Sequence, residues 1–191
     1  MAAICGGLSQ RIDLETCKKA LEKVRGIPGR TEEVVSEPFK VFIDYAFTPN
    51  ALEKVYQTLN NLQPKTYNLK PKLICVLGAC GGGRDKWKRP EIGEIASNYC
   101  KKIILTNEDP YNENPLSILK DIEKGFSKLA DYEKIIDRRE AINRALSIAK
   151  ENDIVIITGK GSEPWICVEK GRKIKWDDRR VVKEEFKKIF G

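Results

Sequence analysis

Three stretches hold most of the side chains able to do chemistry. They are GACGGGRDK from Gly78, TNEDPYNENP from Thr106 and TGKGSEPW from Thr158, and each follows an apolar run. Between them they offer Arg84 and Lys86, Glu108 and Asp109, and Lys160 and Glu163. A guanidinium grips a carboxylate with two parallel hydrogen bonds, and carboxylates hold an ammonium. Together the groups suit a zwitterion, and an amino acid is the simplest such ligand. The alternative is that they are ordinary solvated loop charges.

The glycine-rich stretch fits neither common phosphate cradle. A dinucleotide fingerprint needs a second glycine where Cys80 stands. A phosphate loop needs Gly-Lys-Ser/Thr, whereas Gly83 is followed by Arg84 and Asp85. The chain has no histidine, which excludes Ser–His and Cys–His catalysis and a histidine base. Its six cysteines (Cys5, Cys17, Cys75, Cys80, Cys100 and Cys167) contain no C-x-x-C pair, so no metal site is expected. Several sit in apolar runs, where a free thiol acts as a small hydrophobe, and the chain reads as reduced and cytoplasmic.

The elements that must position these loops follow from periodicity. The apolar runs at 39–44, 73–77, 102–106, 133–137 and 153–159 read as strands. Helical stripes lie between them: Leu52, Val55, Tyr56, Leu59 and Leu62; Ile92, Ile95, Ala96 and Tyr99; Leu116, Leu119, Ile122, Phe126 and Leu129; Ala141, Ile142, Ala145 and Ile148. Thr48-Pro49 and Pro115 open helices, and Pro90 suits a first helical turn. WICV and KIKW around Lys170-Gly171-Arg172 read as a hairpin, and Val181, Val182, Phe186 and Ile189 mark a last helix. Residues 26–33 read as a turn and 60–71 as a polar loop. Near the start, Asp13 caps a helix carrying Leu14, Cys17, Leu21 and Val24.

Alternating strands and helices predict an α/β, Rossmann-like, mostly parallel sheet with helices on both faces. A short helical remnant of a neighbouring domain precedes it, because the first helical pair is too small to hold its own core. In such a sheet the three charged loops share the edge at the carboxyl ends of the strands.

Lys plus Arg is 35 and Asp plus Glu is 28, a formal charge of +7. The basic residues are dispersed among acids, so a small anionic ligand fits better than nucleic acid. No apolar run approaches membrane-spanning length, and MAAICGGLSQR lacks the features of a secretion signal.

Seven segments, in order, resemble the C-terminal part of the Mur ligases, most closely the MurE type. Gly29-Arg30-Thr31-Glu32 resembles the family's GRxE turn, and Asp44 to Pro49 resembles DYAHTP. Gly81 to Pro90 resembles GGDRDKGKRP, and Glu108-Asp109-Pro110-Tyr111 stands where the family has DNPR. Asp137 to Ala141 resembles DRxEA, Gly159 to Glu163 resembles GKGHE, and Trp176 to Arg179 resembles the closing DDR segment.

The resemblance implies residues 1–35 as the tail of the central ATPase domain and 36–191 as the C-terminal domain. It implies an ATP- and magnesium-dependent ligase, adding the third residue (diaminopimelate, lysine or similar) to UDP-MurNAc-L-Ala-D-Glu through an acyl phosphate. It assigns Arg84, Glu108, Asp109, Gly159 and Glu163 to the amino acid, and Arg30, Asp44, Tyr45 and Phe47 to the nucleotide. No catalytic residue and no metal ligand is assigned. Phe47 and Ser162 replace family histidines, and Tyr111 stands where diaminopimelate-adding members carry arginine.

The missing phosphate loop, sugar-nucleotide domain and magnesium ligands imply that this chain alone is inactive and binds no nucleotide tightly. Other readings are a folylpolyglutamate- or cyanophycin-synthetase-like ligase fragment, a stand-alone nucleotide or amino-acid binding module, and a basic RNA-binding protein.

Overall fold

Four short runs of branched aliphatic residues build the centre of the molecule. They are β2 (Lys40–Asp44), β3 (Leu73–Leu77), β4 (Lys102–Leu105) and β6 (Ile154–Thr158). Their near-continuous hydrophobicity suits strands covered on both faces. The coordinates are a computed structural model and describe residues 1–24, 26–62 and 72–191.

With β1 (Glu32–Val35) and β5 (Tyr132–Lys134), these strands form one six-stranded sheet in the order β1-β2-β6-β3-β4-β5. Every pairing is parallel except β1 with β2. The late strand β6 thus lies between β2 and β3, so the carboxyl ends of β2, β6, β3 and β4 are neighbours.

Helices cover both faces. On one side, α3 (Pro49–Asn60), α4 (Lys88–Tyr99) and α5 (Pro115–Glu123) pack Leu52, Tyr56, Ile92, Leu119 and Ile122 against Phe42, Leu77, Leu105 and Ile156. On the other, α6 (Arg138–Ile148) and α7 (Asp178–Phe190) pack Ala141, Ile142, Val181 and Val182 against Val41, Ile43, Val76 and Ile157. Each such fully buried aliphatic side chain contributes about 1.5–3 kcal/mol. The hairpin of β7 (Trp165–Cys167) and β8 (Lys173–Lys175) forms a separate antiparallel pair, as expected.

Local signals set the helix starts. Asp13 accepts from Thr16 N at the head of α2 (Leu14–Glu22), and Asp137 accepts from Glu140 N at the head of α6. Thr48 occupies the cap position of α3 without a side-chain cap bond, and Pro49 begins the helix.

Several expectations are corrected. Part of the supposed turn at 26–33 belongs to β1, an edge strand whose sequence EEVV has no clear alternation. Leu62, Leu116 and Leu129 are exposed: Leu62 lies past the end of α3 at Asn60, Leu129 lies past the end of α5 at Glu123, and α5 turns Ile118 rather than Leu116 inward. After α1 (Ala2–Ser9), helix α2 buries Cys17 but leaves Leu14 and Leu21 exposed, and Val24 lies exposed past its end. Cys75 of β3 is bonded to Cys100, which follows α4, whereas all six cysteines were expected to be reduced. Most of the polar loop expected at 60–71 lies outside the described residues.

Candidate functional site

The loops leaving β2, β3, β4 and β6 converge because their strands end side by side. The glycines make this approach steric rather than merely flexible. A Cβ on Gly81 would lie 2.2 Å from the Pro110 carbonyl oxygen, and one on Gly159 only 2.4 Å from Glu108 Oε2. Gly159 also has φ 101°, in the region that disfavours L side chains. The Gly-rich loop is therefore fitted against the loop after β4, and those two glycines serve packing between loops.

Lys160 stands at the centre of the convergence. Its Nζ donates to both Asp109 oxygens at 2.9 Å and to Glu163 Oε2 at 2.6 Å. Burial works against the Lys160 ammonium, but the bonds to Glu163 and Asp109 outweigh it and raise its pKa. Burial likewise pushes the Glu163 carboxyl up, while Lys160 and Tyr45 pull it further down, to a net value below the ordinary one. Asp109 also accepts from Cys167 N at 2.8 Å, tying the hairpin to the site. The acidic pair expected to hold a substrate ammonium is thus already bridged by an ammonium of the chain itself.

Glu108 differs. It is buried, and its Oε2 has no hydrogen-bond partner among the described residues. Burial pushes its carboxyl up to about 7, against the pull of Arg138. Arg84 lies exposed on the neighbouring loop, forms no ion pair among the described residues, and acts electrostatically on both Glu163 and Cys80. Arg84, Glu108, Asp109, Gly159 and Glu163 are therefore brought to one edge. Lys86 is not free there, for it pairs with Glu113 at 3.1 Å.

The residues expected at the nucleotide adjoin this group. Arg30 stacks over the Tyr45 ring at 4.5 Å, and Phe47 meets that ring edge-on at 5.2 Å. The Tyr45 hydroxyl donates to Glu163 Oε1 and joins the two sets. That acceptor raises the Tyr45 pKa to about 12. Lys88, itself buried, places its ammonium 5.2 Å from the Phe47 ring centre. Asp44 accepts from Thr31 N and Oγ1 and from Ala46 N, so its carboxylate braces the turn after β2.

One supporting pair was not given a role from sequence. Arg138 forms a two-pronged bond with Asp178 at 2.9 and 2.7 Å. It also donates to Asn107 O and Thr158 O, at the exits of β4 and β6. Both side chains are fully buried. The signal was present, since both belong to segments singled out by resemblance, but their mutual contact spans 40 positions. A cavity of about 480 Å³ opens along the loop after β4, lined among others by Asn107, Tyr111, Asn112 and Glu113.

Comparison with known proteins accords with this geometry. The family described as Mur ligase, glutamate ligase domain, matches residues 29–161. The UDP-N-acetylmuramoyl-L-alanyl-D-glutamate–2,6-diaminopimelate ligase of Syntrophomonas wolfei is 42% identical over 187 residues, covering 96% of this chain and 37% of the relative. The ligase of the same description from Aquifex aeolicus is 44% identical over 186 residues, covering 96% and 36%. A solved structure of such a ligase superposes with TM-score 0.76 at 31% identity, covering 98% of this chain and 37% of the other. The MurF ligase of Thermotoga maritima in complex with ADP, 18% identical with TM-score 0.58 over 97% of this chain and 36% of its own, shares the fold. The chain therefore spans little more than a third of the length of these relatives, and over most of its own length it belongs to the Mur ligase family.

Proposed function

We propose that the chain forms the amino-acid-binding part of a MurE-type ligase, which adds a diamino acid to UDP-MurNAc-L-Ala-D-Glu. In this reading residues 36–191 are the C-terminal domain and 1–35 the tail of the ATPase domain. Arg84 grips the carboxylate of the incoming amino acid, and the acidic side of the cleft, Glu108 with the Asp109–Lys160–Glu163 cluster, receives its amino group. The observation that carries the reading is the meeting of an unpaired guanidinium and an unpartnered carboxyl at one sheet edge, the two complements of a zwitterion.

The ligase uses ATP and magnesium, and works in the cytoplasm. ATP converts the peptide carboxylate to an acyl phosphate. The amine of the bound amino acid attacks it, the C–N bond forms, and phosphate leaves with the electron pair of the broken C–O bond. The domain's share of this work is to orient the amine and exclude water. Arg30, exposed above Tyr45, is placed to meet a phosphate, and Phe47 offers a flat ring beside it. The Asp44 carboxylate already accepts three bonds, so a ribose diol would share it with Thr31 and Ala46.

The distal end of the substrate is assigned to the cavity along the loop after β4. Among the described residues its lining carries no guanidinium or ammonium, and Tyr111 is part of it. That favours a distal ammonium, as in lysine, over a second carboxylate. No helix among the described residues is long and apolar enough to cross a membrane.

Calorimetric titration of the chain with lysine, meso-diaminopimelate, glutamate and ADP tests the proposal. A diamino acid binds, glutamate does not, and ADP binds weakly because most of its contacts lie outside this chain. Arg84→Ala weakens the diamino acid at least about tenfold, the loss expected for one charge-assisted contact. Equal binding of glutamate, or no effect of Arg84→Ala, would sink the proposal.

A further inference from the structure

We infer that the bond between Cys75 and Cys100 is a redox-controlled staple that sets the order of the Gly-rich loop carrying Arg84. The inference rests on the amino-acid-binding reading above and adds a form of regulation to it. A ligase at work in the cytoplasm sits among reduced thiols. A disulfide that forms there is more often transient and redox-sensing than permanent.

Position gives the bond its reach. Cys75 lies in the middle of β3, fully buried, and Cys100 is the half-buried residue that ends α4. The bond spans 25 positions. It closes a ring around the second half of β3, the loop from Gly78 to Trp87, and the whole of α4.

Helix α4 is thereby held at both ends. At its head the buried Arg89 donates to Cys80 O in the Gly-rich loop at 3.0 Å and to Glu113 at 2.7 and 3.0 Å. At its tail the sulfurs join it to β3. Two thiols need more room than one S–S bond, and a close-packed interior passes the shift along the helix instead of absorbing it. The loop is packed at Gly81, but a Cβ on Gly83 would meet nothing within 4 Å, and Arg84 beside it is exposed. Opening the ring returns freedom to this tip, and an amino acid must then remove it on binding.

The chemistry needs a small disulfide such as oxidised glutathione. Cys100 is the reachable sulfur. Its thiolate attacks oxidised glutathione, a mixed disulfide forms, and one glutathione leaves as thiolate. The Cys75 thiolate then attacks the Cys100 sulfur, and the second glutathione leaves. Two protein thiols lose two electrons and two protons, and one oxidised glutathione becomes two reduced ones. Reduced glutathione reverses both steps.

The test uses the chain itself. It is equilibrated in mixtures of reduced and oxidised glutathione, free thiols are trapped by alkylation, and peptide mapping follows the Cys75–Cys100 bond. The two forms are compared by calorimetry with lysine and meso-diaminopimelate, by thermal unfolding and by amide hydrogen exchange. Reduction weakens the diamino acid at least about threefold. It lowers the melting temperature by roughly 5–15 °C, as opening a ring of this size should. It speeds exchange of the amides at 78–87 at least about tenfold.

Cys100→Ser behaves as the reduced chain at every glutathione ratio, and the mapped wild-type forms supply the comparison should that variant not fold. A bond that forms at no glutathione ratio, or forms without slowing exchange in the loop, overturns the inference. So does a redox response that persists in Cys100→Ser, which would belong to another cysteine. Binding of equal strength in both forms overturns it as well, while leaving amino-acid binding intact. Absence of binding in both forms overturns the proposed function instead, and the staple is then decided by exchange and unfolding.

Discussion

Replacing Arg138 with methionine should unfold the molecule more readily than any other single change near the site. The guanidinium makes two bonds to Asp178 and one each to Asn107 O and Thr158 O. Its removal leaves the fully buried Asp178 carboxylate with Trp176 Nε1, at 2.7 Å, as its remaining side-chain donor. Breaking a buried pair by removing one partner costs about 3–5 kcal/mol, mainly from the stranded charge. At about 2–4 °C per kcal/mol for a domain of this size, the melting temperature falls by roughly 6–20 °C. Circular dichroism during thermal and urea unfolding measures the loss. Asp178→Leu added to Arg138→Met removes the stranded charge, so the double variant is less destabilised than the sum of the singles by at least about 1 kcal/mol. A loss below about 1 kcal/mol for Arg138→Met, or simple additivity, would refute the reasoning.

Gly159→Ala, which puts a Cβ 2.4 Å from Glu108 Oε2 at a φ of 101°, lowers stability by about 1–3 kcal/mol and amino-acid affinity with it, read by urea unfolding and calorimetry. Lys160→Met leaves Asp109 and Glu163 without their shared cation; it raises the Glu163 carboxyl titration midpoint by NMR, and an unmoved midpoint counts against the central role of Lys160. Glu113, held down to about 2 chiefly by the Arg89 hydrogen bonds, supplies stability that is fully present above its ordinary value of 4.5 and lost as pH falls toward 2; Glu113→Gln flattens that acid limb of a stability–pH profile. Glu108 has the opposite sign: its folded value of about 7 exceeds the ordinary 4.5, so its contribution is complete below 4.5 and fades as pH rises through 7, and Glu108→Gln raises the melting temperature at alkaline pH relative to wild type.

The central strands β2, β3, β4 and β6 were legible because they are short and apolar on both faces, and the hairpin because its two runs flank a Lys-Gly pair. β1 was not, for a four-residue edge strand of EEVV pairs on one side only and leaves no periodic trace. Helix faces were read correctly where stripes ran unbroken, as in α4. They failed at Leu116, where α5 turns Ile118 inward instead, and at Leu129, which lies past the end of α5. Arg84, Glu108, Asp109 and Glu163 were readable as strand-end loop charges. What spacing could not reveal was their pairing: Lys160 lies 51 positions from Asp109, and Tyr45 lies 118 from Glu163. Nor does a sequence distinguish a carboxylate bound by a lysine from one with no partner, since that depends on which side chains the folded sheet edge happens to face.

The placement of β6 bears on how the chain matures. It supplies the ladder partner of β2 on one side and of β3 on the other, yet it is the last strand of the main sheet to be synthesised. A nascent chain halted before Ile154 holds two strands that lack their common neighbour, and none of Gly159, Lys160 or Glu163. Wedging that strand home closes the sheet and completes the ligand cleft in one event, after long-range loop closure that slows folding.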